Sequence, residues 1–293
     1  SYLIGCLLGF GQLYRFAAIE TTPEEHKARA VSLVLFGGML SGILGPGIAF
    51  VTKDWVEGAP FMGSYQSLIG LYVVVFLLLH LVDLPKPTAN EQQPRTRPFW
   101  EITRQTTWKI SLLSAALGYA AMALIMTATP LSMQAHHHSF SASAFVIQWH
   151  VIAMFMPSFF TGNLIQRFGG KNIMLVGIGL NLLCILINTQ GQFFLSYWSA
   201  LILLGVGWNF MFIAGTTLLT ETYLPEEKAL VQGVNDVLVF GAAASGSLLA
   251  GVLQNQIGWE TLNMVVAPPL LLLAGWLLWL KRGRGILVQQ PIH

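Results

Sequence analysis

The sequence predicts an all-α polytopic membrane protein, and three observations carry the prediction. Of its 293 residues 54% are hydrophobic and only 10% charged, with a mean hydropathy of +0.63. Uncharged apolar runs of bilayer-crossing length follow one another along the whole chain. The basic residues gather on one side of the connections between those runs. A soluble domain carries roughly 25% charged residues, and a single globular interior of this size has no room for so much apolar surface. Disordered and collagen-like chains are excluded by the same composition, while 29 glycines among apolar runs suit packed membrane helices.

A membrane helix needs about 20 mostly apolar residues, so the intervals between charges locate the spans. Tyr2 to Ile19 opens the chain as one span, and no charge falls between Ala30 and Thr52 or between Gly58 and Val82. Ile110 to Gln166 and Asn172 to Thr220 are each uncharged over a length that holds two spans and a turn. Ala229 to Val252 and Leu262 to Leu280 complete nine spans. Their expected limits are 2–20, 31–52, 63–83, 108–130, 143–165, 173–189, 195–219, 229–252 and 261–280. Helices are expected over barrel strands because the runs show no two-residue alternation and must satisfy their own backbone in lipid. Pro46, Pro130, Pro157, Pro268 and Pro269 are tolerable in such helices.

With alternating spans, one side of the membrane collects Lys27, Arg29, Lys86, Arg95, Arg97, Arg104, Lys109, Arg167, Lys171, Lys228, Lys281, Arg282 and Arg284, which is 13 of the 15 basic residues. That side is expected to be the cytoplasm, and the carboxyl terminus lies there. The connection over 84–107, rich in Pro, Gln, Arg and Thr, reads as a polar cytoplasmic linker. Cys6 and Cys184 both lie within spans and have neither disulfide nor metal spacing. The chain opens at Ser1 inside an apolar run with no charged leader.

An internal repeat organises the nine spans. Gly9-Phe-Gly11, Pro23-Glu24-Glu25, Leu35-Phe36-Gly37 and Ser41-Gly42 recur in the same order as Gly205-Val-Gly207, Pro225-Glu226-Glu227, Val239-Phe240-Gly241 and Ser245-Gly246. The offsets drift from 196 to 202 to 204 residues, as small insertions produce. Six spans make up the second copy and three the first. The expected organisation is therefore 1–83 as the last three helices of an amino-terminal half, 84–107 as linker, and 108–293 as a complete carboxyl-terminal six-helix half. About three helices of a twelve-helix design are expected to precede Ser1.

Two six-helix halves joined by a polar linker resemble the major facilitator superfamily of secondary transporters. Gly162-Asn-Leu-Ile-Gln166-Arg167-Phe-Gly169-Gly170-Lys171 is similar to that family's cytoplasmic signature G-x-L-A-D-R-x-G-R-K/R, with Gln166 in place of the acid. The glycines there suit a tight turn and close helix approach, and Arg167 and Lys171 can meet helix ends or acids. Ser41-Gly-Ile-Leu-Gly45-Pro46-Gly-Ile-Ala49 matches only the centre of the exporters' G-x-x-x-G-P-x-x-G-G. The resemblance implies a major-facilitator-like bundle moving a small organic solute by alternating access, with protons as the coupling ion and export as one direction. It implies a protein that works as a monomer at full length, in a bacterial inner membrane.

The same resemblance makes the first and seventh spans the family's cavity-lining fourth and tenth helices, so that Gln12, Tyr14 and Arg15 share a cavity with Trp208 and Asn209. Arg15 lies about 7 Å from its span's end and either snorkels outward or lines the cavity. Tyr119 is a further cavity candidate. Amphipathic aromatic and amide side chains suit a semi-polar solute; packing beside Gly205 and Gly207 is the other reading. Asp236 lies about 10 Å inside its span, too deep for its short side chain to snorkel. An ionisable group there is a functional candidate, a carboxylate that binds and releases a proton, or else a packing partner for Asn235. His150, in the fifth span, reads as a neutral hydrogen-bonded helix residue ahead of a group that titrates near neutrality.

His136-His137-His138 lacks the spaced geometry of a metal site, and no cofactor is called for. Nucleic acid is not an expected partner, since the basic residues are dispersed. A membrane-embedded transferase needs convergent acid, nucleophile or metal groups, which the sequence lacks. A passive channel or a non-transporting receptor is the alternative on the same scaffold.

Overall fold

The computed structural model describes residues 27–81 and 97–287, which belong to two compact units divided after Thr88. Every regular element among the described residues is helical. The expected span over 2–20, and with it Gln12, Tyr14 and Arg15, lies outside them.

In the first unit, α1 (Lys27–Thr52) and α2 (Met62–Leu79) pack as a hairpin. α1 runs through Pro46 without a break. The turn closes where Phe61 N donates to Lys53 O at 2.7 Å. Thr52 Oγ1 donates to Ser64 Oγ at 3.1 Å, and Ser64 Oγ to Ala49 O at 3.2 Å. A Cβ at residue 63 would run into the Thr52 carbonyl, so Gly63 lets the helices meet.

The second unit begins with a short helix, α3 (Phe99–Arg104), inside the stretch expected to be a plain linker. Then follow α4 (Thr106–Ala135), α5 (Phe140–Phe155), α6 (Ser158–Phe168), α7 (Gly170–Gln190), α8 (Phe194–Leu219), a 3-10 turn (Pro225–Glu227) and α9 (Lys228–Leu287). Among the described residues five helices are long and apolar enough to cross a membrane: α2, α4, α7, α8 and α9. The pair α5 and α6, bent by 43° at Pro157, makes a sixth candidate. The sequence predicts an unbroken span over 143–165, and the bend is the departure from it. α9 is interrupted at Gly258 (φ 77, ψ 171). The segments 228–257 and 259–287 are each about 45 Å long, more than a hydrocarbon layer of about 30 Å requires.

The interior of this unit is organised around α8, which packs on α4, α5 and α7. In lipid, apolar side chains alone give helices little reason to associate, and close backbone approach and polar bonds do more. The repeated Gly-x-Gly block supplies the approach on two faces. A Cβ at Gly205 would lie 2.8 Å from the His150 carbonyl on α5, and one at Gly207 would lie 2.9 Å from the Gly177 carbonyl on α7. Polar bonds then fix the register. Ser114 Oγ donates to Met211 O at 3.0 Å, and Ser132 Oγ meets Tyr197 Oη at 2.7 Å. His150 Nδ1 donates to Leu201 O at 2.7 Å. Asn188 Nδ2 donates to Asn263 Oδ1 at 2.8 Å.

Candidate functional site

Two of the expected solute contacts, Tyr119 on α4 and Trp208 on α8, stand edge to face with ring centroids 5.2 Å apart. Tyr119 also meets Phe212 at 5.6 Å and Phe240 at 5.4 Å, again edge to face. Trp208 stacks on Phe212 at 5.1 Å with the planes 9° apart, and meets Phe155 of α5 edge to face at 6.1 Å. Four helices thus contribute to one aromatic cluster. Such ring geometries contribute roughly 0.5–1.5 kcal/mol per pair beyond area burial. Trp208 is 5% exposed, and its Nε1–H has no hydrogen-bond partner among the described residues. A buried donor left so in an apolar setting costs about 1–3 kcal/mol, which an acceptor on a bound molecule would recover.

Asp236 lies eight residues into α9, about 12 Å along its axis, and is partly buried. Its Oδ1 accepts Asn235 Nδ2 at 3.3 Å. Four residues on, one turn away on the same helix face, stands Phe240 of the cluster. The carboxylate and the aromatic rings therefore share one face of α9. Asn209 is placed differently from its neighbour Trp208. It is 0% exposed; Nδ2 donates to Met154 O at 2.7 Å and Ser158 Oγ at 2.6 Å, and Oδ1 accepts Thr161 Oγ1 at 2.7 Å. In this conformation both amide hydrogens and one acceptor position of the oxygen are taken up by helix packing.

The loop signature forms the junction of α6 and α7. Gly169, at φ 81 and ψ 143, is the single residue between the two helices, a left-handed conformation that glycine adopts without strain. Gly170 sits against Leu218, whose Cγ would be 3.1 Å from an added Cβ. Gly162, Gln166 and Arg167 are exposed, and the Arg167 guanidinium lies 5.2 Å from the Phe168 ring. Lys171 is partly buried and lines a cavity of about 440 Å³ with Gly169, Thr107, Glu221 and Lys281. Lys281 Nζ also donates to Asn172 Oδ1 at 2.6 Å, tying α9 to the start of α7.

One cluster escapes the sequence reading. Glu227, which the sequence marks only as a charge in a turn, is wholly buried, and Arg97 grips it with Nε at 2.6 Å and Nη2 at 2.8 Å. The hydrogen bond to Glu227, more than any other cause, raises the Arg97 guanidinium above its ordinary value. Arg97 Nη2 and Gln105 Nε2 both donate to Thr222 O, at 2.8 and 3.0 Å. The end of the linker is thereby fastened to the turn between α8 and α9. The Pro-Glu-Glu repeat is the signal that marks this spot, but nothing in the sequence pairs it with Arg97. His136 and His138 bond the carbonyls of Ser132 and Gln192, and no metal-holding group of three His, Cys, Asp or Glu occurs among the described residues.

The profile of the Major Facilitator Superfamily matches residues 2–234 and 111–287. The chain belongs to the Major Facilitator Superfamily. It is a multi-pass membrane transporter and not an enzyme. It is 39% identical over 278 residues to the riboflavin transporter RfnT of Brucella anthropi, covering 92% of this chain and 70% of that protein. It is 29% identical over 287 residues to the uncharacterized MFS-type transporter YdeG of Bacillus subtilis, covering 92% of this chain and 66% of that one. To the methylenomycin A resistance protein of Bacillus subtilis it is 27% identical over 166 residues, 54% of this chain and 35% of that protein.

Proposed function

We propose that the full-length protein is a secondary active transporter for a planar heteroaromatic solute of the flavin type. It alternates access between two six-helix halves of a bacterial inner membrane protein, with the carboxyl terminus in the cytoplasm and protons as the coupling ion. The observation that carries this reading is the aromatic cluster with its orphaned Trp208 Nε1–H. A flat ring system with carbonyl and ring-nitrogen acceptors suits an aromatic lining and the Trp208 donor. The 39% identity to a riboflavin transporter supports the solute class. Tyr119 and Trp208 make the contact, together with Gln12, Tyr14 and Arg15 from the first span. Asp236, one turn from Phe240, takes up and releases the proton. The loop from Gly162 to Lys171, through Gln166, Arg167 and Gly169, moves with the change of access.

Export of planar organic molecules is a second reading. Gly45-Pro46 inside α1 and the likeness to the methylenomycin A resistance protein favour it.

Reconstituted full-length protein should show saturable riboflavin counterflow, accelerated by an imposed pH gradient. Trp208→Ala should raise KM about tenfold, equivalent to about 1.4 kcal/mol, within the range of a lost stacking contact. Asp236→Asn should abolish gradient-driven accumulation but keep exchange. Absence of riboflavin counterflow refutes the solute class. Wild-type flux indifferent to the pH gradient refutes proton coupling, and coupled flux surviving in Asp236→Asn refutes that residue's role.

A further inference from the structure

The break between α5 and α6 is held from outside by one side chain. Pro157 brings no N–H, so the Ala153 carbonyl loses its ladder donor and the proline ring crowds the preceding turn. Around it Met156 N donates to Ile152 O at 2.9 Å, Phe159 N reaches Met156 O only at 3.4 Å, and Thr161 N resumes the pattern to Pro157 O at 2.9 Å. A carbonyl displaced from the ladder within a membrane must find another donor. For Met154 that donor comes from a neighbouring helix, Asn209 Nδ2 at 2.7 Å. The same amide reaches across the proline to Ser158 Oγ and Thr161 Oγ1. It thus binds one group before the break and two groups after it.

We propose that Asn209 is the pin of a hinge at Pro157, a positioning residue that holds α6 in its bent setting and releases it during the transport cycle. The bonds are unequal in a way that permits release. Thr161 Oγ1 already lies 2.8 Å from Pro157 O, and a serine hydroxyl in a first helical turn finds backbone acceptors of its own. Letting go of α6 therefore strands no polar group there, while Met154 O keeps its amide donor. α6 is 11 residues long, a lever of about 16 Å, and removing a 43° bend swings its far end by about 12 Å. That end carries Gln166, Arg167 and the Gly169 junction, a residue free to redirect the chain. The pin is adjacent in sequence to Trp208, so the arm and the aromatic cluster are governed from one point on α8.

The test needs no solute and so is independent of the proposed substrate. Spin labels at Thr106→Cys and Gln166→Cys, both exposed, are introduced into full-length protein in lipid nanodiscs after Cys6→Ser and Cys184→Ala. Wild type should show two distance populations, with the bent one dominant. Asn209→Ala should reverse their ratio, moving the mean by several ångströms. Pro157→Ala returns an N–H to the ladder, and in that background Asn209→Ala should shift the mean by less than half as much. Asn209→Leu keeps the volume, loses the bonds to Ser158 Oγ and Thr161 Oγ1, and serves if the alanine variant fails to insert; it too should reverse the ratio. A single wild-type distance that neither Asn209 variant moves overturns the hinge, as does a shift of equal size with and without Pro157.

Discussion

Replacing Arg97 by alanine measures how the end of the linker is fastened. Glu227 is wholly buried and accepts hydrogen bonds from Arg97 Nε at 2.6 Å, Arg97 Nη2 at 2.8 Å and Leu224 N at 2.9 Å. Arg97→Ala removes both guanidinium bonds and the counter-charge they bring to an enclosed carboxylate. Stripping a buried ion of its partner costs about 3–5 kcal/mol. Arg97, however, is 30% exposed, so water enters the vacated side, and about 2–3 kcal/mol is what the geometry supports. The Thr222 carbonyl adds little, because Gln105 Nε2 still donates to it at 3.0 Å. Arg97→Lys keeps the charge but loses the two-pronged grip and should forfeit about half as much. The assay is equilibrium unfolding in mixed micelles of Arg97→Ala, Glu227→Ala and the double variant. A coupling energy of about 2 kcal/mol, a roughly thirtyfold change in the folding constant, is expected. A coupling under about 0.5 kcal/mol, the level of an exposed pair, refutes the reasoning.

Three further outcomes follow from the packing. Gly205→Val sets side-chain atoms against the His150 carbonyl, 2.8 Å from the Cβ position, and should lower stability in detergent by about 1–3 kcal/mol; an unchanged unfolding curve contradicts the close approach of α5 and α8. Asn263→Leu strips the buried Asn188 amide of its acceptor and should cost about 1–3 kcal/mol, whereas Asn188→Leu with Asn263→Leu together should recover most of it. Equal losses in the single and double variants would show that the pair is not what matters there. Tyr119→Ala takes out the ring that joins Trp208, Phe212 and Phe240 and should raise the riboflavin KM about tenfold, with correctly inserted protein verified by gel filtration.

The spans are legible because lipid imposes their length. The expected 195–219 meets α8 at Phe194–Leu219, and 173–189 meets α7 at Gly170–Gln190, since charges and glycines mark where each helix reaches the interface. The α5–α6 bend is not legible from its own segment. A proline in a membrane helix can pass without a break, as Pro46 does in α1 and Pro130 in α4, and whether it bends depends on what the next helix offers. α3 is hidden for another reason. Its stretch is short and polar, and its order comes from Ile102 and Trp108 meeting Leu219 and Val231, more than a hundred positions away. Local composition cannot report such a contact.

The candidate site divides along the same line. Tyr119 and Trp208 stand out because the family resemblance places their spans beside the cavity, but Phe155, Phe212 and Phe240 look like any other apolar residue, and only the repeated Phe-Gly block singles out Phe240. Asn209 is the instructive case. A polar side chain in a span serves either a solute or another helix, and its identity does not say which. Depth does carry information. Pro157 lies 11 residues from the end of α6 and Asn209 lies 10 from the end of α8, or about 16 and 15 Å at the helical rise. Both helices run toward the same basic side. An amide at the depth of a proline on a parallel neighbour meets a place where a helix has a carbonyl without its ladder donor. Matching depths of prolines and amides across parallel spans would therefore have separated the helix-binding Asn209 from the ring-bearing Trp208 beside it, using the sequence alone.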